Sequence, residues 1–317
     1  MSESTAQTLP RSARVAWIGT GIMGSSMAGH LLKAGFHVTV YSRTKARAEG
    51  LLAAGASWAS SPALAAKDAD FVCTNVALPS EVDAVHFGPD GVLSAAKPGQ
   101  IFIDFGTSKP STARVIALEA ASKGACAFDA PVSGGDIGAR HATLSIMVGG
   151  DAATFERARE IFDLLGKTVV YQGEAGAGQR TKIVNQMLVA ANTIGMCEAM
   201  HFAALAGLDL KSVLESVGGG AAASWSISVL APRIVNGDFE PGFFVDHLVK
   251  DLRIAKDEAD SVGASLPIVE LCLARYERLV AAGFGRKGTQ GIYLLYRGES
   301  SALHESPDKP TLSPPLR

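Results

Sequence analysis

The stretch Val15-Ala16-Trp17-Ile18-Gly19-Thr20-Gly21-Ile22-Met23-Gly24 decides the fold. Four apolar residues run straight into a G-x-G-x-x-G turn, and residues 22–33 behind it carry helical periodicity. In that setting each glycine has its own task. Gly19 permits the tight turn, Gly21 lets the backbone approach a pyrophosphate, and Gly24 permits close helix–strand packing. Thr20, Ile22 and Met23 complete the turn, and the helix start offers its free N–H groups to phosphate. The plain alternative is a glycine-rich turn without a ligand. The strand–turn–helix context favours a dinucleotide.

Working outward, short apolar runs recur at 15–18, 38–41, 71–75, 101–105, 126–129, 144–148 and 169–171. Alanine-rich segments with helical periodicity, such as 45–54 and 111–123, lie between them. Apolar strands separated by helices imply a parallel sheet covered on both faces, with right-handed crossovers. The texture changes after residue 173. Residues 173–178 form a glycine-rich joint, and beyond it no strand is expected. Residues 182–207 read as one long helix, apolar nearly all round, which implies burial. Further helices are expected near 211–217, 224–236, 246–262 and 267–282. The fold class is therefore α/β: a Rossmann-type doubly wound sheet, then an all-α C-terminal domain joined by a long helix. The expected divisions are a disordered start at 1–12, a nucleotide domain at 13–175, a helical domain at 176–298 and a flexible tail at 299–317.

Composition narrows the function classes. With 317 residues the chain is long enough for two domains. Charged residues are 19% and the net charge is −2, so there is no basic footprint for nucleic acid. No apolar run reaches the roughly 18 residues of a membrane span, and the polar first twelve residues lack a secretory h-region. Cys73, Cys126, Cys197 and Cys272 are scattered and apolar-flanked, as expected of buried thiols in a reducing, cytoplasmic compartment. The seven histidines form no metal-ligand pattern, so no metal is expected.

The end of the second strand bears on which dinucleotide is bound. An acidic residue there would hold the ribose hydroxyls of NAD, whereas arginine accommodates the 2′-phosphate of NADP. Ser42, Arg43 and Thr44 stand there, with no carboxylate until Glu49. NADP is preferred and NAD remains possible, since Arg43 also fits a surface charge beside an NAD site. Tyr41 and Lys45 mimic a Y-x-x-x-K pair, but at the end of the second strand they face the adenosine and are rejected as catalytic.

Hydride transfer to a carbonyl needs a proton donor beside the developing alkoxide. Lys182 opens the long helix, and Asn185 and Gln186 share its face at three- and four-residue spacing. A polar cluster on an apolar helix is expensive to bury unless used, although a lysine snorkelling at a helix end fits the same residues. A second cluster, Asp129-Ala130-Pro131-Val132-Ser133-Gly134-Gly135, exposes consecutive backbone N–H groups beside Ser133. These can form a nest for a carboxylate, or a plain turn.

These residues together resemble the β-hydroxyacid dehydrogenase family, from about Val15 to Arg297. The resemblance rests on G-x-G-x-M-G at 19–24, Leu78-Pro79, Asp104 with Thr107, and D-A-P-V-S-G-G at 129–135. It continues in S-I-M-V-G-G at 145–150, G-x-G-x-x-x-K at 176–182 and Lys250-Asp251-Leu252. It implies that Lys182 is the catalytic lysine, that Asn185 and Gln186 orient it, and that Ser133, Gly134 and Gly135 anchor substrate. Gln186 departs from the asparagine common in the family, which leaves open which amide does the work. The resemblance further implies cofactor contacts from Leu78, Pro79, Thr107 and Lys250. Phe243 would line the substrate pocket and Asp251 would stand beside Lys250.

The expected protein is an NAD(P)-dependent oxidoreductase interconverting a small β-hydroxyacid and its semialdehyde or keto acid. By resemblance it pairs into a homodimer or homotetramer, takes a small carboxylic-acid substrate, and has no membrane partner. The rival readings are an imine- or general carbonyl-reducing relative and a non-catalytic dinucleotide-binding protein. Lys182 weighs against both.

Overall fold

Successive residues of β1, Arg14–Ile18, serve two different cores. Val15 and Trp17 join a cluster that includes Met27, Leu31, Phe105 and Phe162. Ala16 and Ile18 join one that includes Val72, Phe102 and Ile116. A strand sends consecutive side chains to opposite faces, so this one must be covered on both sides. The computed structural model describes Leu9 and residues 12–304, with side chains through 298. Within the expected disordered start, residues 1–8, 10 and 11 lie outside the described residues, as do 305–317 of the expected tail.

After β1 come α1 (Ile22–Lys33), β2 (His37–Tyr41), α2 (Glu49–Ala53), β3 (Ser57–Trp58), α3 (Pro62–Ala66) and β4 (Phe71–Thr74). The chain continues through α4 (Pro79–Phe87), β5 (Ile101–Asp104), α5 (Pro110–Ser122), β6 (Cys126–Asp129), β7 (Val132–Ser133) and α6 (Gly135–His141). The sheet is completed by β8 (Leu144–Gly150) and β9 (Gly166–Gly173), with α7 (Ala152–Asp163) between them. Local chemistry starts two of the helices. The Ser61 hydroxyl accepts from Leu64 N ahead of Pro62, and the Asp151 carboxylate accepts from Ala153 N.

The strand order is β3-β2-β1-β4-β5-β6-β8-β7, with β9 on β8. All pairs from β3 through β6 are parallel. The order reverses at β1, whose neighbours are β2 and β4, and such a switch point is where open α/β sheets take ligands. The expected Rossmann-type sheet is present, but it is mostly rather than wholly parallel. β8 runs antiparallel to both β6 and β7, because the link from β7 through α6 is too short for a parallel crossover.

The chain divides into two compact units, Met1–Asn185 with Asp260–Val262, and Gln186–Ala259 with Gly263–Arg317. The long helix α8 (Ala177–Leu205) begins in the first and ends in the second. The second unit adds α9 (Leu210–Gly218), α10 (Ala231–Val235), α11 (Val245–Ser261), α12 (Pro267–Leu279) and α13 (Tyr293–His304). Its buried side chains include Met200, Leu230, Leu248, Leu252, Tyr276 and Ile292. Among its described residues the only strand-like pairing is a single bridge between Phe244 and Gly288. Two expectations for α8 change. It starts at Ala177 rather than 182, and it is not buried all round, since Val184, Leu188, Phe202 and Leu205 are exposed.

Candidate active site

The glycine loop divides its three glycines between packing and ligand. Gly19 has φ +101°, and a Cβ there would lie 2.2 Å from the Asn75 carbonyl oxygen. A Cβ on Gly24 would lie 2.0 Å from the Gly19 oxygen, which already accepts from Trp17 Nε1 at 3.1 Å. Both are therefore required by the fold itself. Gly21 differs: no protein atom lies within 4 Å of the Cβ position. It begins α1 with no side-chain cap and no acidic residue in the first turn. The Thr20 hydroxyl is buried without a protein partner, and Ile22 is exposed. An uncapped helix start with open space before it fits a pyrophosphate.

Beyond β2, Ser42 is half-buried and Arg43 and Thr44 are exposed. Arg43 Nη2 pairs with Glu81 Oε1 at 2.5 Å. Glu81 sits in the first turn of α4, and its other oxygen accepts from Ala77 N at 3.0 Å and Leu78 N at 3.2 Å. Leu78 and Pro79 thus form a turn fixed by Glu81, with Leu78 exposed.

Thr107 lies in a loop held from two sides. Asp104 Oδ1 accepts from Thr74 Oγ1 at 2.7 Å and from Gly106 N at 3.1 Å. The buried Gln179 amide donates to the Gly106 oxygen at 2.8 Å and accepts from Ser108 N at 3.0 Å. Sequence reasoning missed Gln179. The available signal was a polar residue directly after the glycine joint.

Asp129 organises the start of α8. Its Oδ1 accepts from Gly176 N and its Oδ2 from Gln179 N, both at 2.7 Å. Burial pushes its carboxyl up to about 7 against these two bonds, and nearby Asp104 adds to the rise. Close approach is possible because Gly149 and Gly178 carry no Cβ. On Gly178 one would lie 2.4 Å from the Met147 oxygen. One turn further along, buried Lys182 donates from Nζ to the Val132 oxygen at 2.8 Å. Lys182 is thereby brought to the residue preceding Ser133. The turn that follows has φ +127° at Gly134 and +63° at Gly135, a conformation that favours glycine. Asn185 is half-buried one turn past the lysine.

Gln186, Lys250, Asp251 and Phe243 belong to the second unit. Gln186 Nε2 donates to Asp251 Oδ2 at 2.5 Å, and Lys250 Nζ pairs with Asp251 Oδ1 at 2.8 Å. Asp251 is 2% exposed and Lys250 14%, so this is a buried ion pair steadied by an amide. Phe243 packs against His247 with ring centroids 5.9 Å apart. Burial pushes the His247 imidazole down, and Lys250 adds to the effect.

Comparison with known proteins shows the family. Residues 14–173 match the family model described as the NAD binding domain of 6-phosphogluconate dehydrogenase. Residues 176–296 match that described as NAD-binding of NADP-dependent 3-hydroxyisobutyrate dehydrogenase. The probable 3-hydroxyisobutyrate dehydrogenase-like 1, mitochondrial, of Arabidopsis thaliana is 43% identical over 300 residues, covering 94% of this chain and 90% of its own. The 2-hydroxy-3-oxopropionate reductase of Escherichia coli (strain K12) is 36% identical over 272 residues, covering 85% of this chain and 92% of its own. Among solved structures, the 3-hydroxyisobutyrate dehydrogenase of Mycobacterium tuberculosis with L-serine gives a TM-score of 0.82 at 32% identity, covering 90% of this chain and 99% of that one.

Proposed function

Because the chain belongs to the β-hydroxyacid dehydrogenase family, and is thus an oxidoreductase that binds a nicotinamide dinucleotide, we propose that it prefers NADP and interconverts a small β-hydroxyacid with its semialdehyde or keto acid, Lys182 being the general acid and base. The observation that carries this reading is the buried Lys182 ammonium held 2.8 Å from the Val132 oxygen, beside Ser133.

When bound, the dinucleotide supplies the hydride for the carbonyl carbon in reduction and receives it in oxidation. The open start of α1 and Gly21 would hold its pyrophosphate, and Ser42, Arg43 and Thr44 would hold a 2′-phosphate. Thr107 and the Leu78-Pro79 turn would hold its nicotinamide end. The substrate carboxylate is taken by Ser133, Gly134 and Gly135, a hydroxyl and backbone donors next to a lysine. In reduction Lys182 gives its proton to the carbonyl oxygen, and in oxidation it takes the hydroxyl proton. The Val132 carbonyl fixes the ammonium while that proton moves, and Asp129 fixes the helix that carries it. Gln186, Asp251 and Lys250 hold one another in a buried cluster within the second unit.

Replacement of Lys182 by alanine tests the reading. We expect kcat to fall by roughly 10²–10⁴, the usual worth of a general acid, while NADPH affinity is retained. Near-normal turnover in that variant would remove the lysine from the mechanism.

A further inference from the structure

Arg43 and Glu81 come from opposite sides of the glycine loop. Arg43 follows β2 and Glu81 follows β4, and these two strands flank β1. Their ion pair at 2.5 Å therefore spans the end of the strand that carries the dinucleotide turn. The two partners are unequal. The Arg43 side chain is 76% exposed and Glu81 only 17%. Glu81 is pinned by the Ala77 and Leu78 amides at the start of α4, whereas the guanidinium is on a solvated stem. An incoming phosphate dianion must draw Arg43 from a carboxylate that cannot follow it. It must also rest near that carboxylate, and like charges repel across such distances with little screening inside a Debye length.

We propose that Glu81 is a specificity-determining residue that weakens binding of the 2′-phosphate by competing for Arg43, so that the preference for NADP over NAD is narrowed. This rests on the proposed placement of the 2′-phosphate at Arg43. NAD leaves the pair intact, since it presents ribose hydroxyls there. Freed guanidinium and lost repulsion act in the same direction, so neutralising Glu81 tightens only ligands that carry the 2′-phosphate.

The test is calorimetric titration of the full chain with 2′,5′-ADP and with 5′-AMP, which differ only in that phosphate. Glu81→Gln keeps an oxygen for the Ala77 and Leu78 amides and loses the charge. It should bind 2′,5′-ADP roughly five- to tenfold more tightly, the scale of a partly exposed charge pair with added repulsion, and 5′-AMP as the wild type does. Glu81→Ala, which removes the charge and places no new polar group beside Arg43, serves if the glutamine variant does not fold. In an Arg43→Ala background the gain should shrink to the part that lost repulsion supplies, about twofold or less. Unchanged or weaker 2′,5′-ADP binding by folded Glu81→Gln overturns the inference, as does a gain undiminished by loss of Arg43. Arg43→Ala alone separates this failure from the other. If it weakens 2′,5′-ADP while Glu81→Gln does not tighten it, only the role of Glu81 falls. If it has no effect, the 2′-phosphate does not sit at Arg43 and both readings fall.

Discussion

The starts of α1 and α8 are built from the same materials, a strand, glycines and a helix N-terminus, and end differently. At α1 the first amides meet no side-chain cap, no acidic residue and empty space before Gly21. At the start of α8 the Asp129 carboxylate fills the equivalent position, taking the Gly176 and Gln179 amides. One positive end is left for a ligand's anion, and the other is closed by the protein's own. On the proposed function, the difference separates a binding surface from a device that fixes Lys182, the proposed general acid, which follows the closed end by one turn. A helix N-terminus attracts negative charge in either case; what decides its use is whether the chain supplies that charge.

The comparison breaks first at Gly24. If the loop is set by packing there and by ligand at Gly21, Gly24→Ala should cost about 3 kcal/mol or more of stability in ligand-free urea unfolding. The new methyl has to displace the Gly19 oxygen, 2.0 Å from the Cβ position. A loss well below that would mean the loop is not packed as described.

Closing the open end should do the opposite. Gly21→Asp supplies α1 with an N-cap carboxylate, so the melting temperature should hold or rise. Dinucleotide affinity should fall about 100-fold, since the phosphate loses charge-assisted donors and meets a like charge. Undiminished dinucleotide binding in a folded variant would show that the pyrophosphate does not use this helix start.

The third effect is smaller and concerns the closed end. Asp129 has its carboxyl raised from 3.8 to about 7, so the folded chain keeps this proton where the unfolded chain has lost it. Its contribution is fully present below the unfolded value and is lost as pH rises toward 7. Relative to Asp129→Asn, wild-type stability should fall across that window by at most about 1.4 kcal/mol per pH unit, then level off. A difference that is flat or rising between these values would mean burial does not dominate at Asp129.

The two helix starts also differ in how far they could be read from sequence. The open one is local. Val15 to Gly24 named its own turn, and helix 22–33 is found at Ile22–Lys33. The closed one depends on residues 47 and 50 positions apart. Gly176 and Gly178 therefore read as a joint, although α8 already begins at Ala177. Position 178 takes a glycine inside the helix because only hydrogen fits against the Met147 and Asp129 oxygens. The two-residue strands β3 and β7 are too short to show a period, so neither was expected, and with β7 went the antiparallel return of β8. Arg43 was visible as a cationic residue at a strand end, but its partner Glu81 lies beyond the next strand and leaves no local mark. The apolar face of α8 suggested burial because composition cannot tell an inward stripe from an outward one; Val184, Leu188, Phe202 and Leu205 face outward.

The most direct measurement for the whole account is kcat/KM with NADPH for succinic semialdehyde against butanal, two aldehydes of similar length of which one carries a carboxylate. If Ser133, Gly134 and Gly135 anchor that acid while Lys182 serves the carbonyl, the binding energy of the anchored end appears in kcat/KM. The acid should then be favoured by about 100-fold or more, because the uncharged aldehyde forgoes the charge-assisted hydrogen bonds of these donors. Equal values for the two aldehydes would contradict the carboxylate anchor and, with it, the assignment of a β-hydroxyacid as substrate.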